Sequence, residues 1–513
     1  MNYLAFVVGL TAFGAAVARW ARVVQREHYI SGSCVRIAAI WVRARGANAF
    51  LLGALVGLFC TLLVVSGEGS RQWIEVALAI CSILFPFWMS VRGRGKPLQW
   101  TRRLRVLAAA SGAALVLALL VAGTRVHWSG LPALASVLAP LCFEAGLRIT
   151  APIERRIALG FQRKAEARLR AVNPTVIAIT GSWGKTSTKN HVRDLASGWV
   201  NTAISPASFN NQAGLSRTMN EHLPDGTELL VVEMGMYGPG EIKSLCEWTK
   251  PSIGVITAIG PMHLERVGSI EGIVEAKSEI LIGTTAAVLW VENPELARLA
   301  DSTTGQRVWR CGWYGTDGLD VSVELVAQRI VVRHDGTEIG EVPAGRGLHP
   351  PNIACAVAAA LTAGVPESHV RKALANIHAP NHRLDITRAE AGFVVIDDTF
   401  NSNPEGARAA LSALTEAVAG RRVVVTPGMF ELGPLQFEAN EKWAQEIVGA
   451  GAELVITGFS NRRALRRGGA GVAGAGIPPV WMRDRSSALE YLRPRLGQDD
   501  GVLWENDLPD HYP

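Results

Sequence analysis

A glycine-rich loop between a predicted strand and a predicted helix carries the residues best suited to chemistry. The segment Thr175–Thr188 reads TVIAITGSWGKTST. Its apolar, β-branched start predicts a buried strand, its two glycines permit a tight turn, and Lys185-Thr186 open a helix. Such a loop directs backbone N–H groups and an ammonium at phosphate, while the threonine hydroxyl reaches Mg²⁺. We expect a nucleoside triphosphate site, although the first glycine of the full G-x-x-x-x-G-K-[ST] pattern would fall at Ile179. A plain glycine-rich turn is the alternative.

Polar residues at the ends of three other predicted strands suit the same chemistry. Glu233 ends one apolar run, His263 follows another, and Asp397 and Asp398 close a third. Ligands of open α/β sheets bind at the carboxyl ends of the strands. Glu233 would then meet the metal of a bound nucleotide, and the two aspartates suit ribose hydroxyls or a cation. The alternatives are a helix-capping glutamate and a structural histidine.

The chain from residue 173 onward predicts a parallel sheet with crossover helices, because short apolar runs alternate with helical patterns. One stretch, Val321–Glu341, predicts an antiparallel hairpin around His334-Asp335-Gly336. Pro380 and Asn381 interrupt a helical pattern and indicate a boundary between two α/β domains, 173–378 and 379–513. The predicted strands are Leu229–Glu233, Ile253–Ile259, Ala286–Val291, Val394–Asp398, Val423–Thr426 and Leu454–Thr457.

The first 147 residues predict a membrane region of about five helices. Each apolar stretch approaches the ~20 residues that cross a bilayer. Arginine-rich connections alternate with connections that carry few charges, which places the N-terminus outside and everything after Leu147 in the cytoplasm. A buried helical domain is the alternative. The stretches are Tyr3–Ala18, Ala49–Ser66, Trp73–Val91, Val106–Gly123 and Leu131–Leu147.

Two features close this region. Glu144 lies in the fifth stretch, near its expected cytoplasmic end, where its side chain can snorkel towards water. Residues 148–172 predict a basic amphipathic linker helix with Ile153, Ile157 and Phe161 on its apolar side. This segment would lie at the membrane surface and lead into the α/β domains.

Composition excludes several other classes of protein. The seven cysteines are scattered without C-x-x-C pairs, which argues against a disulfide framework or a zinc site and favours a reducing compartment. The net charge of +6 is modest, and much of it flanks apolar stretches. We interpret that charge as membrane topology and expect no nucleic-acid partner. The sequence does not indicate an oligomeric state.

Seven sequence elements together resemble the Mur ligases, most closely their MurF branch. They occur in family order across about residues 173–460. They are GSWGKTS from Gly181, NNQAG from Asn210, EMGMYGPGEI from Glu233, IGPMHLERVGSIEG from Ile259, Ala276-Lys277, His382-Arg383 and DDTFNSNP from Asp397. The resemblance implies a P-loop central domain, a smaller Rossmann-like C-terminal domain, and ATP and magnesium as cofactors.

The reaction that the resemblance implies is ATP-dependent amide formation. A substrate carboxylate takes the γ-phosphoryl group of ATP, an amine attacks the acyl phosphate, and phosphate leaves. Lys185 would contact the β- and γ-phosphates, and Arg383 would reach the γ-phosphate from the C-terminal domain. Asp398 would bind ribose, and Asn352 would lie on the adenine side. The remaining loop positions implied in nucleotide binding are Thr180, Gly181, Ser182, Gly184 and Ser187.

The resemblance also implies two magnesium ions. Thr186 and Glu233 would bind the first ion, and His263 would bind the second. Lys277 matches a lysine that family members carbamylate with CO₂, which turns a cation into an anionic oxygen ligand. A solvated helix lysine is the alternative for that position.

Three departures from the family pattern bear on the substrate. Membrane stretches stand in place of the family's UDP-binding N-terminal domain, the adenine-side segment keeps only Asn352 of its H-N-x-x-N pattern, and the C-terminus lacks a Lys-Gly-Ser-Arg element. We expect an integral-membrane ligase of a cell-envelope or lipid-linked precursor. A poly-γ-glutamate-type synthetase and a non-ligase membrane ATPase module are the alternatives. The carboxylate donor and the amine stay open.

Overall fold

The computed structural model describes residues 2–44, 46–65, 67–91, 98–122, 128–344, 348–378, 385–399, 403–472, 477–507 and 512. The chain divides into two compact units. The N-terminal unit comprises residues 1–157 with 458–460 and 508–513, and the larger unit comprises 158–457 with 461–507.

The N-terminal unit is built from α-helices. Its helices are α1 Asn2–Arg26, α2 Ser33–Ala44, α3 Gly46–Val64, α4 Glu68–Leu84 and α5 Arg102–Ala122, followed by a 3₁₀ turn at Trp128–Gly130 and by α6 Leu131–Val172. The residues of α6 from 158 onward belong to the larger unit. Helix α4 packs on α1 and α3. Polar side chains fix the helix ends: buried Asn48 donates to the carbonyl of Trp41 and accepts from the amide of Phe87.

Three helices in the described part of the chain are long and apolar enough to cross a membrane: Tyr3–Arg26, Arg102–Leu120 and Leu131–Val172. A fourth candidate arises if Ser33–Arg43 and Gly46–Leu62, bent by 112°, form one span. The sequence analysis expects about five spans, and that number stays a prediction. The predicted stretch Trp73–Val91 overlaps the 17-residue α4, which ends at Leu84. The next residue, Phe85, is extended, the conformation that a following proline favours.

The fifth predicted stretch and the predicted linker helix belong to one helix, since α6 runs unbroken through 42 residues despite Pro140 and Pro152. One expectation about this stretch needs correction. Glu144 does not extend to water. Its side chain is buried, and it accepts a hydrogen bond from the amide of Gly32, just before the N-terminus of α2. A carboxylate at that position complements the helix dipole.

A nine-stranded sheet forms the first part of the larger unit. Its order is β2-β3-β1-β4-β5-β6-β7-β8-β9, parallel from β2 to β7 and antiparallel thereafter. The predicted hairpin is thus a three-stranded meander. The strands are β1 Thr175–Thr180, β2 Thr202–Ile204, β3 Leu229–Glu233, β4 Ile253–Ile256, β5 Ala286–Trp290, β6 Arg307–Trp313, β7 Val321–Val326, β8 Arg329–His334 and β9 Thr337–Pro343.

Crossover helices cover this sheet and bury one large apolar core with it. They are α7 Lys185–Ala196, α8 Gln212–His222, α9 Glu241–Thr249, α10 Leu264–Val267, α11 Ile270–Ser278, α12 Pro294–Ser302, α13 Pro350–Thr362 and α14 Glu367–Ala373, with 3₁₀ turns at Glu279–Leu281 and Leu374–Asn376. Helix α13 is alanine-rich and buried over most of its length, so it packs closely against α7 and the sheet.

A second, six-stranded sheet has its own cores on its two faces. Its order is β10-β11-β15-β12-β13-β14, and only the β10–β11 pair is antiparallel. The strands are β10 Asp385–Arg388, β11 Val394–Asp398, β12 Arg422–Thr426, β13 Glu453–Thr457, β14 Val480–Met482 and β15 Gly501–Glu505. The helices are α15 Pro404–Ala417, α16 Gln436–Gly449, α17 Arg462–Ala470 and α18 Arg485–Leu492, with a 3₁₀ turn at Gly433–Leu435.

The position of β1 matters most for the site. It lies between β3 and β4, although β2 and two helices separate β1 from β3 along the chain. The carboxyl ends of these three strands are therefore neighbours. The strand order reverses here, and such a switch point is where open α/β sheets bind ligands.

We predict that Gly468→Ala destabilises the second sheet's domain by about 1–3 kcal/mol, the usual cost of overpacking. A Cβ at Gly468 would lie 2.0 Å from the Glu441 carbonyl oxygen, where α17 meets α16. The matched control is Gly449→Ala in α16, where a Cβ meets no atom within 4 Å. Hydrogen exchange of the α16 and α17 amides measures the loss of stability in each of the two variants. Equal protection in Gly468→Ala and the wild type would contradict the prediction.

Candidate active site

The loop after β1 contains two glycines in backbone conformations that other residues rarely adopt. Gly181 has φ 154° and Gly184 has φ 84°, both in the left-handed half of backbone space. A Cβ on Gly181 would lie 2.0 Å from Thr257 Oγ1, and one on Gly184 would lie 2.3 Å from Asn352 Oδ1. Neighbouring side chains thus crowd the loop from both sides, and the sharp turn into α7 survives only without side chains at these positions.

Side chains of the loop hold it in place. Lys185 Nζ donates to the Gly181 carbonyl at 2.7 Å, which folds the ammonium back over the turn. Ser182 Oγ donates to the Gly260 carbonyl at 3.1 Å and accepts from its amide at 2.9 Å, so the loop is tied to the segment after β4. Thr180 is fully buried at the end of β1. These positions form a cradle at a helix N-terminus, which suits phosphate.

Thr186 and Glu233 meet as the sequence predicts, since Thr186 Oγ1 lies 2.9 Å from Glu233 Oε2. The same carboxylate oxygen lies 3.3 Å from Lys189 Nζ, and both charged side chains are almost completely buried. Lys189 also donates to the carbonyls of Ser205 and Ala207 at 2.7 and 2.6 Å. The ammonium therefore anchors Glu233 and the β2–α8 loop to α7.

Lys277 lies in α11 and is almost completely buried. Burial lowers the pKa of its ammonium well below the ordinary value, and the nearby charge of Lys185 lowers it further. Both lysines line one cavity together with His263, Tyr237 and Asn403. The solvated-lysine alternative is thus wrong for this position.

His263 is held from the second domain. Its Nδ1 lies 2.8 Å from Glu431 Oε2, and Arg266 Nη2 lies 2.7 Å from the other oxygen of that carboxylate. Burial opposes ionisation of Glu431, but the hydrogen bond from His263 and the charge of Arg266 outweigh it and lower its pKa to about 2. Glu431 is therefore anionic at neutral pH.

A second cavity adjoins the loop on its other side. Ser187, Asn352 and Asp398, three of the predicted nucleotide-binding residues, line it. Trp183 also lines it and donates a hydrogen bond to Glu405 of the second domain. Trp183 and Asn403 line both cavities. A nucleotide with its base and ribose in this cavity and its phosphates at Lys185 would connect the two.

The donor set fits magnesium that is shared with phosphates. Among the residues that the structure describes, no group of three or more His, Cys, Asp or Glu side chains could hold an ion alone. Thr186 and Glu233 supply oxygens at the phosphate loop, and His263 supplies an imidazole at the cavity. Mg²⁺ commonly takes one or two protein carboxylates and completes its shell with water and substrate phosphates.

The predicted site residue Arg383 lies outside the described part of the chain, as do His382 and the predicted boundary residues Pro380 and Asn381. Three functional positions escaped the sequence analysis, namely Lys189, Glu405 and Glu431. Lys189 follows Lys185 by four residues, so it lies one helical turn along α7. That spacing could have indicated a second cation at the site. Glu405 and Glu431 gave no such signal, because their partners lie in the other domain.

A buried histidine lies in the same helix. His191 is fully buried, and neither ring nitrogen has a hydrogen-bond partner among the described residues. Burial lowers its pKa from 6.5 to about 3, and the charges of His349 and Arg193 add to the effect. His191 is therefore neutral in the folded protein at neutral pH.

Comparison with protein families gives two matches, one for each sheet. Residues 179–355 match the Mur ligase middle domain, and residues 382–505 match the Mur ligase glutamate ligase domain.

Curated relatives agree with these matches. The chain is 30% identical over 374 residues to UDP-N-acetylmuramoyl-tripeptide–D-alanyl-D-alanine ligase of Mycobacterium leprae, across 66% of this chain and 72% of the relative. It is 34% identical to the same ligase of Mycobacterium tuberculosis, across 66% and 71%. For the Bacillus subtilis ligase the identity is 32%, across 54% and 60%.

Solved structures share the fold. MurF from Acinetobacter baumannii superposes with a TM-score of 0.59 at 24% identity, across 68% of this chain and 77% of that structure. MurF from Thermotoga maritima in complex with ADP superposes with a TM-score of 0.58 at 22% identity, across 68% and 80%.

We predict that His191 makes the larger unit sensitive to acid. Its folded pKa of about 3 lies below the unfolded value of 6.5, so protons bind the unfolded state first. The stability is fully present above pH 6.5 and falls by up to about 1.4 kcal/mol per pH unit as the pH drops towards 3. Denaturant unfolding at about pH 7 and about pH 5 measures the loss, and His191→Leu should reduce it. The same acid loss in His191→Leu would contradict the assignment.

Proposed function

Because the chain belongs to the Mur ligase family, we propose that it is a membrane-bound, ATP-dependent carboxylate–amine ligase that works through an acyl phosphate. One observation carries the proposal. The structure brings Lys185, His263 and Lys277 to one cavity, and the phosphate loop separates that cavity from a second one bounded by Asp398. The first suits a phosphorylated acid and the second a nucleoside.

The chemistry requires two displacements. A carboxylate oxygen of the acid attacks the γ-phosphorus of ATP, and the bond to the β-phosphate oxygen breaks to release ADP. The amine nitrogen then attacks the acyl carbon, loses a proton, and expels phosphate as the amide forms. The enzyme must neutralise charge and keep the groups in line. Lys185 at the helix N-terminus provides a fixed positive field for the transferred group.

Magnesium would be held by Thr186 and Glu233 at the phosphate loop and by His263 at the cavity, and it supplies further neutralisation of phosphate charge. Asp398 would orient the ribose from the second domain. Glu405 and Glu431 of that domain contact Trp183 and His263, so both domains complete the site. Closure of the second domain over bound ATP would exclude water from the acyl phosphate.

Lys277 is proposed to be carbamylated. Carbamylation needs a neutral amine to attack CO₂, and burial together with Lys185 favours that form. The product places an anionic oxygen beside Lys185 and His263. The amine loses a proton as its bond to CO₂ forms, and the anion that results has Lys185 as a cationic neighbour, which offsets the cost of burying its charge.

The proposed location is the cytoplasmic membrane, with the α/β domains in the cytoplasm. Helices α1, α3 and α5 expose large apolar side chains, including Tyr3, Phe50 and Leu120 at 78%, 76% and 69%. Apolar side chains exposed to this degree suit lipid. An odd number of spans places the N-terminus outside, and an even number places it inside.

The proposed substrate is a peptidoglycan or other cell-envelope precursor, either UDP-linked or lipid-linked. The curated relatives of this chain are UDP-N-acetylmuramoyl-tripeptide–D-alanyl-D-alanine ligases. The family matches in this chain begin at residue 179, after the helices of the N-terminal unit. We propose that those helices stand in place of a UDP-binding domain and keep the site near a lipid-linked acid.

We predict that Lys185→Ala lowers ligase activity by at least about 100-fold, since it removes the phosphate-facing cation. Purified full-length protein is screened with acid–amine pairs for ADP release and amide product. Lys243→Ala, an exposed lysine of the same domain, is the matched control.

The screen also separates the alternatives. Full activity in Lys185→Ala contradicts the phosphate site, and activity only with UDP-linked acids contradicts the lipid-linked substrate. Repeated addition of one amino acid to a growing chain indicates a poly-γ-glutamate-type synthetase. ATP hydrolysis that no acid or amine stimulates indicates a non-ligase ATPase.

We predict that removal of bicarbonate lowers ligase activity and that adding bicarbonate back restores it. Without CO₂ the carbamate on Lys277 reverts to an unmodified lysine, which lacks the anionic oxygen. Lys277→Ala should be inactive and insensitive to bicarbonate, while Lys243→Ala should respond like the wild type. Carbon-13 bicarbonate and NMR detect the carbamate directly. An active Lys277→Ala enzyme would remove the carbamate from the mechanism.

A further inference from the structure

The loop after β12 reaches from the second domain to the metal-binding side of the first. Glu431 in this loop contacts α10 and its N-cap by both side chain and backbone. One carboxylate oxygen lies 2.8 Å from His263 Nδ1, and the other lies 2.7 Å from Arg266 Nη2. The Glu431 carbonyl accepts from the amide of Glu265 at 3.2 Å. Three separate contacts thus seat one residue.

The contact with Nδ1 decides how the imidazole can act. The Glu431 carboxylate also accepts a hydrogen bond from Arg266 through its other oxygen, so the pairing places the Glu431 side chain as an acceptor and Nδ1 of His263 as the donor. In the neutral ring, Nε2 is then the free acceptor, which is the form that binds a metal. His263 lines the cavity that also holds Lys185 and Lys277.

The surroundings fix the ring further. His263 and Glu431 both have positive φ, 66° and 63°, a conformation that needs support from neighbours. The ring of Tyr237 lies 5.7 Å from that of His263 in an edge-on arrangement, and the Arg266 guanidinium lies 5.0 Å from the Tyr237 ring centre. Arg266 therefore touches both groups that orient the imidazole.

The loop that carries Glu431 packs closely on α10, so the contact between Glu431 and His263 is part of the docking of the second domain on the first. A Cβ on Gly433, which has φ 54°, would lie 3.3 Å from the amide nitrogen of Glu265. The backbone of the loop therefore packs directly on α10. A bulkier residue at that position would push Glu431 away from His263.

We propose that Glu431 is a positioning residue: docking of the second domain places its carboxylate on His263 Nδ1 and so directs Nε2 to bind magnesium. The inference rests on the proposed function and extends it. The metal site is complete only while the two domains are docked, which links closure to phosphoryl transfer. Partners that orient metal-ligating histidines typically contribute 10–100-fold to metal affinity or activity.

Binding of Mn²⁺ in place of Mg²⁺ tests the positioning role of Glu431 without any need for ligase turnover. Full-length protein in detergent is titrated with Mn²⁺ in the presence of ADP, and bound ion is measured by electron paramagnetic resonance. Pulsed measurements of nitrogen coupling to the bound ion report imidazole coordination, and His263→Gln provides the spectrum without it.

Glu431→Ala should weaken Mn²⁺ binding by about 10–100-fold and reduce the nitrogen coupling. Glu431→Gln keeps an acceptor for Nδ1–H and should recover most of the coupling, and it serves if Glu431→Ala does not fold. Arg266→Ala should shift binding in the same direction, and the double variant with Glu431→Ala should lose less than the two single losses combined. Glu490→Ala, an exposed glutamate of the same domain, is the control and should match the wild type.

Unchanged Mn²⁺ affinity and nitrogen coupling in both Glu431 variants would overturn the inference and leave the proposed ligase intact. Failure of the wild-type chain to bind Mn²⁺ with ADP would overturn both.

Discussion

The site depends on one topological constraint, the insertion of β1 between β3 and β4. Because these strands are parallel neighbours, their carboxyl ends and the residues that follow them converge. The strand pairing itself brings together the phosphate loop, Glu233 and the segment that leads to His263. The crowding that results explains why Gly181 and Gly184 lack side chains, since Thr257 and Asn352 occupy the space.

Local signals predicted much of this arrangement, because a strand, a tight turn and a helix N-terminus lie within a few residues. Glu233 and Thr186 were placed together correctly because each belongs to a motif at a strand end. Contacts between domains were not predictable in this way. Glu431 approaches His263 across 168 positions of sequence, and no periodicity in the chain records that proximity. The short strand β2 also escaped prediction, since three residues give no pattern.

In the N-terminal unit, local sequence signals were less successful. Hydropathy located its apolar segments but could not determine where the helices end. Helix α4 ends at Leu84, before Pro86, whereas Pro140 and Pro152 do not interrupt α6. Glu144 likewise depends on tertiary context, because the loop before α2 offers it an amide that the linear sequence does not reveal. A polar residue within an apolar segment is thus a poor guide to the position of that segment in the membrane when the end of another helix lies nearby.

The buried contact between Lys189 and Glu233 has a consequence for the catalytic cycle. A carboxylate whose sole counter-charge was a departing ion would be left uncompensated each time products leave, at a cost of several kcal/mol. Lys189 stays behind and remains within 3.3 Å of Glu233. The part of the site around Glu233 therefore keeps its geometry and its charge balance when it is empty, and the next nucleotide meets a carboxylate that is already in position.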